Sequence, residues 1–327
     1  MKKLVAGFSE QLKEAIEIGK NAKQTKSEKK IQEVLICGLG GSGIGGSIVT
    51  ELVASECRVP VLVSKGYFIP AFVSESTLVI ISSYSGNTEE TLLCFEQALK
   101  KKAKIVCISS GGKVSEMAHT QHLDLITVPG GMPPRSCLGY SLTQLLFVLS
   151  FHQLIGNTFL ADLEAAIRLI DSEEQAIQKQ AAVISEKLMG KLPVIYCTTY
   201  FEGIAIRFRQ QLNENSKVLC WHQVIPEMNH NELVGWREKN ESIAVLLFRD
   251  QDEFERNNAR IEINKNVISQ YTSNITEIWS KGKSIIEKSI YFIHLGDWIS
   301  VDLAERRGYD ANEINVINQL KSHLSKI

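Results

Sequence analysis

Two short apolar runs in this 327-residue chain, Val34–Cys37 and Leu78–Ser82, break directly into turns built of glycine and hydroxyl residues, and then into helix-like segments. The turns are Gly38-Leu39-Gly40-Gly41-Ser42-Gly43-Ile44-Gly45-Gly46 and Ser83-Tyr84-Ser85-Gly86-Asn87-Thr88. Glycine lets a backbone approach an anion closely, and the start of a helix presents unpaired N–H groups to it. Hydroxyls at Ser42, Ser83, Ser85 and Thr88 add donors. One such loop says little. Two, each at a strand-to-helix turn, describe a crevice at the carboxyl ends of a parallel sheet, and a pocket for a small phosphorylated molecule.

The same alternation runs through the chain. The spacing of Leu4, Phe8, Leu12 and Ile16 predicts a helix over residues 4–30. Further strands are predicted at 59–64, 105–109 and 123–128, with helices at 42–55, 88–102 and 115–119. Residues 141–154 are apolar nearly all round and read as a buried helix. After a break at Ile155-Gly156-Asn157-Thr158 comes a helix over 160–189. Strands then follow at Val194–Cys197, Lys217–Cys220, Ser242–Phe248 and Asn274–Ile278, with helices at 201–213, 253–270, 284–307 and 313–323. Continuous apolar strands alternating with helices predict an α/β fold of doubly wound parallel sheets. Two domains are expected, residues 1–155 and 156–327, though the second half lacks the glycine loop and no sequence repeat is visible.

Composition narrows the partners. With 36 basic and 37 acidic residues the formal net charge is −1, so no basic excess draws the chain to nucleic acid or an anionic membrane. The run Lys100-Lys101-Lys102-Ala103-Lys104 reads as a solvated helix end, where cations are favoured. No apolar run reaches the roughly 18 residues of a membrane span, and the start, Met1-Lys2-Lys3-Leu4, lacks a signal-peptide pattern. Seven cysteines, none in a CxxC pair, suit a reducing cytoplasm, and Cys37, Cys107 and Cys197 read as small core residues. The seven histidines form no HxxEH or HxH cluster, so neither a metal nor a cofactor is expected.

Taken alone, the remaining candidates leave alternatives open. Gly38-Leu39-Gly40-Gly41-Ser42-Gly43 also matches the dinucleotide pattern, but the second strand ends Val63-Ser64-Lys65, without the acid that would hold a ribose. An NADP-dependent oxidoreductase would also leave the second loop unexplained, unless that loop is an ordinary turn with a capping box from Asn87 to Glu90. Arg135, in Pro133-Pro134-Arg135-Ser136, is either a surface residue or an anion-neutralising fork on the rim of the two loops. By spacing alone Glu214 and Lys321 read as surface residues, and His230 as a structural or exposed histidine.

Together these segments resemble the sugar isomerase (SIS) domains of the bifunctional phosphoglucose/phosphomannose isomerase family. The motifs that carry the resemblance are the two loops, Pro134-Arg135, Leu212-Asn213-Glu214-Asn215-Ser216-Lys217, Pro226-Glu227-Met228-Asn229-His230-Asn231-Glu232 and Leu320-Lys321. The resemblance implies two SIS domains, a homodimer, and metal-free conversion of glucose 6-phosphate and mannose 6-phosphate to fructose 6-phosphate through a cis-enediolate. It implies that Gly41, Ser42, Ser83, Ser85 and Thr88 hold the phosphate, that Glu214 is the base and that Arg135 stabilises the enediolate. It also implies that His230, reaching in from the partner subunit, opens the sugar ring with Lys321. The segment Asp310-Ala311-Asn312-Glu313 departs from the family, where a threonine with prolines stands before the lysine; this bears on the mannose half of the activity. A non-catalytic sugar-phosphate regulator would need the loops but not Glu214, His230 and Lys321 together.

Overall fold

The computed structural model describes residues 1–324 and 326. It contains two compact units, one of Ala6–Asp171 with Gly282–Lys288, the other of Met1–Val5, Ser172–Lys281 and Ser289–Ile327. Each holds its own wholly parallel sheet.

In the first unit, strands β1 (Glu33–Cys37), β2 (Val61–Ser64), β3 (Thr77–Ser82), β4 (Lys104–Ser109) and β5 (Asp124–Thr127) lie in the order β2-β1-β3-β4-β5. Every residue of β3 is buried, because helices cover both faces. After α1 (Lys2–Ala6), the helices of this unit are α2 (Phe8–Asn21), α3 (Gly40–Leu52), α4 (Glu89–Lys100), α5 (Gly112–Thr120) and α6 (Leu138–Phe151). Phe95 and Ala98 of α4 pack with Val114 and Ala118 of α5 on Leu35, Val79, Ile81 and Cys107 of the sheet. On α6, eleven of fourteen residues are buried, as its all-round apolar sequence requires. Gln11 fastens α2 to the start of α6, its Nε2 donating to Ser136 O (2.8 Å) and its Oε1 accepting from Gly139 N (2.7 Å).

The order β2-β1-β3 means that the chain leaves β1 to one side and crosses back to the other. The turns after β1 and β3 therefore open at the point where the strand order reverses, where open α/β sheets bind ligands. The two glycine-hydroxyl loops are those turns.

Helix α7 (Thr158–Lys187) leads to β6 (Leu192–Thr198), α8 (Glu202–Glu214), β7 (Trp221–Ile225), β8 (Ile243–Arg249), α9 (Glu255–Ile268), β9 (Ile275–Trp279), α10 (Ile285–Arg306) and α11 (Asn315–Leu324). The second sheet has the order β7-β6-β8-β9, which repeats the winding of the first four strands of the other sheet. The repeat is visible in topology although the sequence shows none. Phe208 of α8, Phe248 of β8 and Phe292 of α10 stack on one face, with centroids 6.2 Å and 4.6 Å apart.

Two expectations are corrected. The helix over 4–30 is two helices that end at Asn21, because residues 22–30 offer no large apolar side chain to bury and the chain runs on as coil. The strand expected at Lys217–Cys220 is a loop with Leu219 81% exposed, and the strand is Trp221–Ile225. As an edge strand β7 is only half covered, so it carries polar residues and no continuous apolar run.

Candidate functional site

The first unit brings Gly41, Ser42, Ser83, Ser85, Thr88 and Arg135 to one end of its sheet. Ser42 is buried and its Oγ accepts from Tyr84 N–H (3.1 Å), which joins the two loops. Ser83, 2% exposed, donates its hydroxyl to Thr88 Oγ1 (3.3 Å), and Ser85 Oγ accepts from Asn87 N–H (3.3 Å). Ser42, Ser85 and Thr88 thus serve the fold as acceptors in these bonds. Each keeps its own hydroxyl hydrogen to donate, as an anion requires.

The backbone of the second loop is fixed from below. Gly86 adopts φ +68°, and a β-carbon there would stand 1.8 Å from Gly111 O, so only glycine fits. Tyr84 O accepts from Ser110 N (3.0 Å) and Ser110 Oγ (2.6 Å). Tyr84 hydroxyl accepts from Met132 N (3.2 Å) in the segment leading to Arg135, and burial, with Cys137 beside it, raises its pKa. Tyr84 therefore ties three loops together. It lay inside a quoted motif, but its joining role depends on contacts that sequence spacing does not show.

The capping-box alternative does not describe this turn. The N-cap of α4 is Thr88, and Asn87 Oδ1 accepts from Lys113 N (3.1 Å). Glu89 and Glu90 occupy the first turn of α4, where acids suit the helix dipole.

Arg135 sits in a 3₁₀ turn, Pro134–Ser136, and is only 5% exposed, so it is not a surface arginine. Its backbone lies against the first loop: a β-carbon on Gly41 would meet Pro134 O at 2.8 Å and Arg135 Cα at 3.5 Å. The cavity between these segments, lined by Gly41, Ser42, Tyr84, Pro134 and Cys137 among others, is about 10 Å³. That is about the room of one water, so a phosphate would have to lie at the loop mouths. A larger hollow of about 910 Å³, bordered by Lys26, Lys30, Arg58 and His152, sits beside residues preceding β1 and β2, at the opposite end of the strands.

In the second unit, Glu214 is the last residue of α8 and is half-buried. His230 closes a 3₁₀ turn, Glu227–His230, and is exposed. Lys321 lies exposed on α11. The end of α8 is held by buried polar bonds to α10: Arg207 Nη2 to both carboxylate oxygens of Asp297 (3.0 and 2.6 Å), and Gln211 Nε2 to Asp297 Oδ1 (2.8 Å). Glu232 Oε1 accepts from Tyr196 hydroxyl (2.6 Å) and Trp221 Nε1 (3.0 Å), which makes it a structural acceptor. Among the described residues, no group of three or more His, Cys, Asp and Glu side chains could hold a metal ion. No helix among them is long and apolar enough to cross a membrane.

Comparison with known proteins bears on both units. Residues 177–324 match the family model of the bacterial phospho-glucose isomerase C-terminal SIS domain. The chain is 37% identical to the bifunctional phosphoglucose/phosphomannose isomerase of Caldicellulosiruptor bescii, over 99% of this chain and 98% of that protein. It is 35% identical to the protein of the same name from Aquifex aeolicus, over 90% of each. Among solved structures, the C-terminal domain of glucosamine-fructose-6-phosphate aminotransferase from Francisella tularensis superposes with a TM-score of 0.76 at 15% identity, over 95% of this chain and 96% of that one. At that identity the likeness speaks for the fold.

Proposed function

The chain belongs to the bifunctional phosphoglucose/phosphomannose isomerase family, and we propose that it interconverts glucose 6-phosphate, and mannose 6-phosphate, with fructose 6-phosphate by a metal-independent proton transfer. It is an aldose–ketose isomerase acting on sugar phosphates. The observation that carries the finer reading is the meeting of both hydroxyl loops and the buried Arg135 at the switch point of the first sheet.

In this reading the phosphate lies at the mouths of the loops, against N–H groups at the starts of α3 and α4 and the hydroxyls of Ser42, Ser85 and Thr88. Ser83 supports it through Thr88. Glu214 removes a proton from the carbon beside the carbonyl and returns it one carbon away, forming a cis-enediolate between the two steps. Arg135 neutralises the oxygen on which charge develops, and its burial makes a fixed cation worth more than one in water. His230 and Lys321 open the ring before the transfer, His230 coming from the partner subunit; its exposure in the single chain agrees with that role. One base can serve both C2 epimers when the C2–C3 bond turns to present the other face of the enediol, which accommodates glucose and mannose forms at one site.

A coupled assay for fructose 6-phosphate, fed with each hexose phosphate in the presence and absence of EDTA, tests this. Equal rates with and without the chelator are expected. A loss of activity restored by a divalent metal would overturn the metal-independent mechanism, and no product from either sugar would overturn the substrate assignment.

A further inference from the structure

The run Asn213-Glu214-Asn215-Ser216-Lys217 holds one acid and four residues whose side chains bond into the fold of the second unit. Asn213 Nδ2 donates to Val218 O (2.6 Å) and Asn215 Nδ2 to Ser300 Oγ (2.9 Å). Ser216 Oγ donates to Ser300 O (2.6 Å), and Asn215 and Ser216 are completely buried. Lys217 Nζ donates to two main-chain carbonyls, those of Glu214 and of Glu313 (2.7 Å for the latter).

Lys217 stands at φ +56°, in the left-handed region where lysine is uncommon and glycine costs nothing. A residue in such a conformation persists where its surroundings hold it. What lysine supplies there and glycine cannot is the ammonium. One of its acceptors is the carbonyl at the very end of α8, where the ladder of the helix runs out. The other belongs to Glu313, two residues before α11, the helix that carries Lys321.

We propose that Lys217 is a positioning residue for the isomerisation: its ammonium fixes the last turn of α8 and the entry to α11, and so sets where the Glu214 carboxylate stands. The proposal rests on the reading of Glu214 as the base. The lever is short, because the bonded carbonyl and the carboxylate belong to the same residue. Releasing that carbonyl removes the side-chain tie nearest the carboxylate while the buried bonds of Asn215 and Ser216 still hold the helix end, and a drift of about 1 Å is enough to cost about a hundredfold in turnover. The phosphate contacts are made by other segments and are not disturbed.

The test uses the full chain with Lys217→Gly, Lys217→Arg, Glu214→Gln and the Glu214→Gln/Lys217→Gly pair. Glycine suits the backbone angle, so Lys217→Gly should keep the parent melting midpoint and KM while kcat falls about a hundredfold. Lys217→Arg, which retains a cationic donor, should recover most of kcat. In the Glu214→Gln background, Lys217→Gly should cost nothing further, since there is no longer a carboxylate to place. Parent kcat in Lys217→Gly, an equal loss in both backgrounds, or failure of Lys217→Gly to fold would each overturn the proposal while leaving the base assignment standing. Parent turnover in Glu214→Gln would instead overturn the base assignment, and this proposal with it.

Discussion

At the scale of single residues, substitutions should separate phosphate binding from proton transfer. Ser85 and Thr88 act within the fold as acceptors and keep a hydrogen for an anion. Ser85→Ala with Thr88→Ala should therefore raise KM, at about 1.5–3 kcal/mol for each donor lost to a charged group, and leave kcat close to the parent value. Unchanged KM for both sugars would remove these residues from the phosphate site. Glu214→Gln should do the converse. It keeps size and hydrogen bonding but cannot accept a proton, so kcat should fall by about 10²–10⁴ with KM little changed. Exchange of the substrate's C2 hydrogen with deuterated water should fall in step; parent exchange would mean another base. Glu232 is a poor substitute, because its Oε1 already takes hydrogen bonds from Tyr196 and Trp221. The same contrast explains what could be read in advance. The loops were legible because glycine and hydroxyls recur at two strand ends. The burial of Arg135 was not, since it depends on Gly41 letting another segment close over the turn.

At the scale of elements, helix α8 owes its position to a polar seam. Arg207, Gln211 and Asn215 follow one another at helical spacing, all nearly inaccessible, and face Asp297 and Ser300 on α10. A buried pair is costly to break from one side, because the remaining charge keeps its desolvation penalty. Asp297→Asn should cost about 3–5 kcal/mol in urea unfolding, and a loss below 1 kcal/mol would show the seam to be dispensable. Helix α6 carries a different device. His152, at its carboxyl end, has its pKa lowered to about 4, first by burial and then by the charge of Lys104, against a weaker pull from Asp124. The unfolded chain therefore binds this proton more readily, between pH 6.5 and about 4. Stability from this group is complete above pH 6.5 and declines as the pH falls through that window. His152→Leu should flatten that part of the stability curve relative to the parent; parallel curves would refute the assignment. Elements with continuous apolar strands, such as β3 and β4, were readable from sequence because burial on both faces leaves no other pattern. Strand β7 was not, because an edge position needs only half of its surface apolar and the neighbouring Val218-Leu219-Cys220 imitates a strand better.

At the scale of the whole molecule, the two sheets repeat one winding while only the first carries the glycine-hydroxyl loops. His230 stands on an exposed turn of the second unit, a placement no spacing along the sequence could fix. The proposal that His230 acts on a partner's substrate has a quantitative consequence. Suppose each site takes Glu214 from one subunit and His230 from the other. A dimer of a Glu214→Gln chain with a His230→Ala chain then has one site with both lesions and one with neither. Random reassortment of equal amounts makes half of the dimers mixed, so about a quarter of the parent sites should be intact. Unfolding the two inactive variants together and refolding them should restore about that fraction of turnover, whereas the variants refolded separately stay inactive. If both residues act within one subunit, every site in every dimer carries a lesion and mixing restores nothing. A protein that is monomeric at assay concentration and fully active would refute the shared site directly, and sedimentation at that concentration checks for this before any mixing is done.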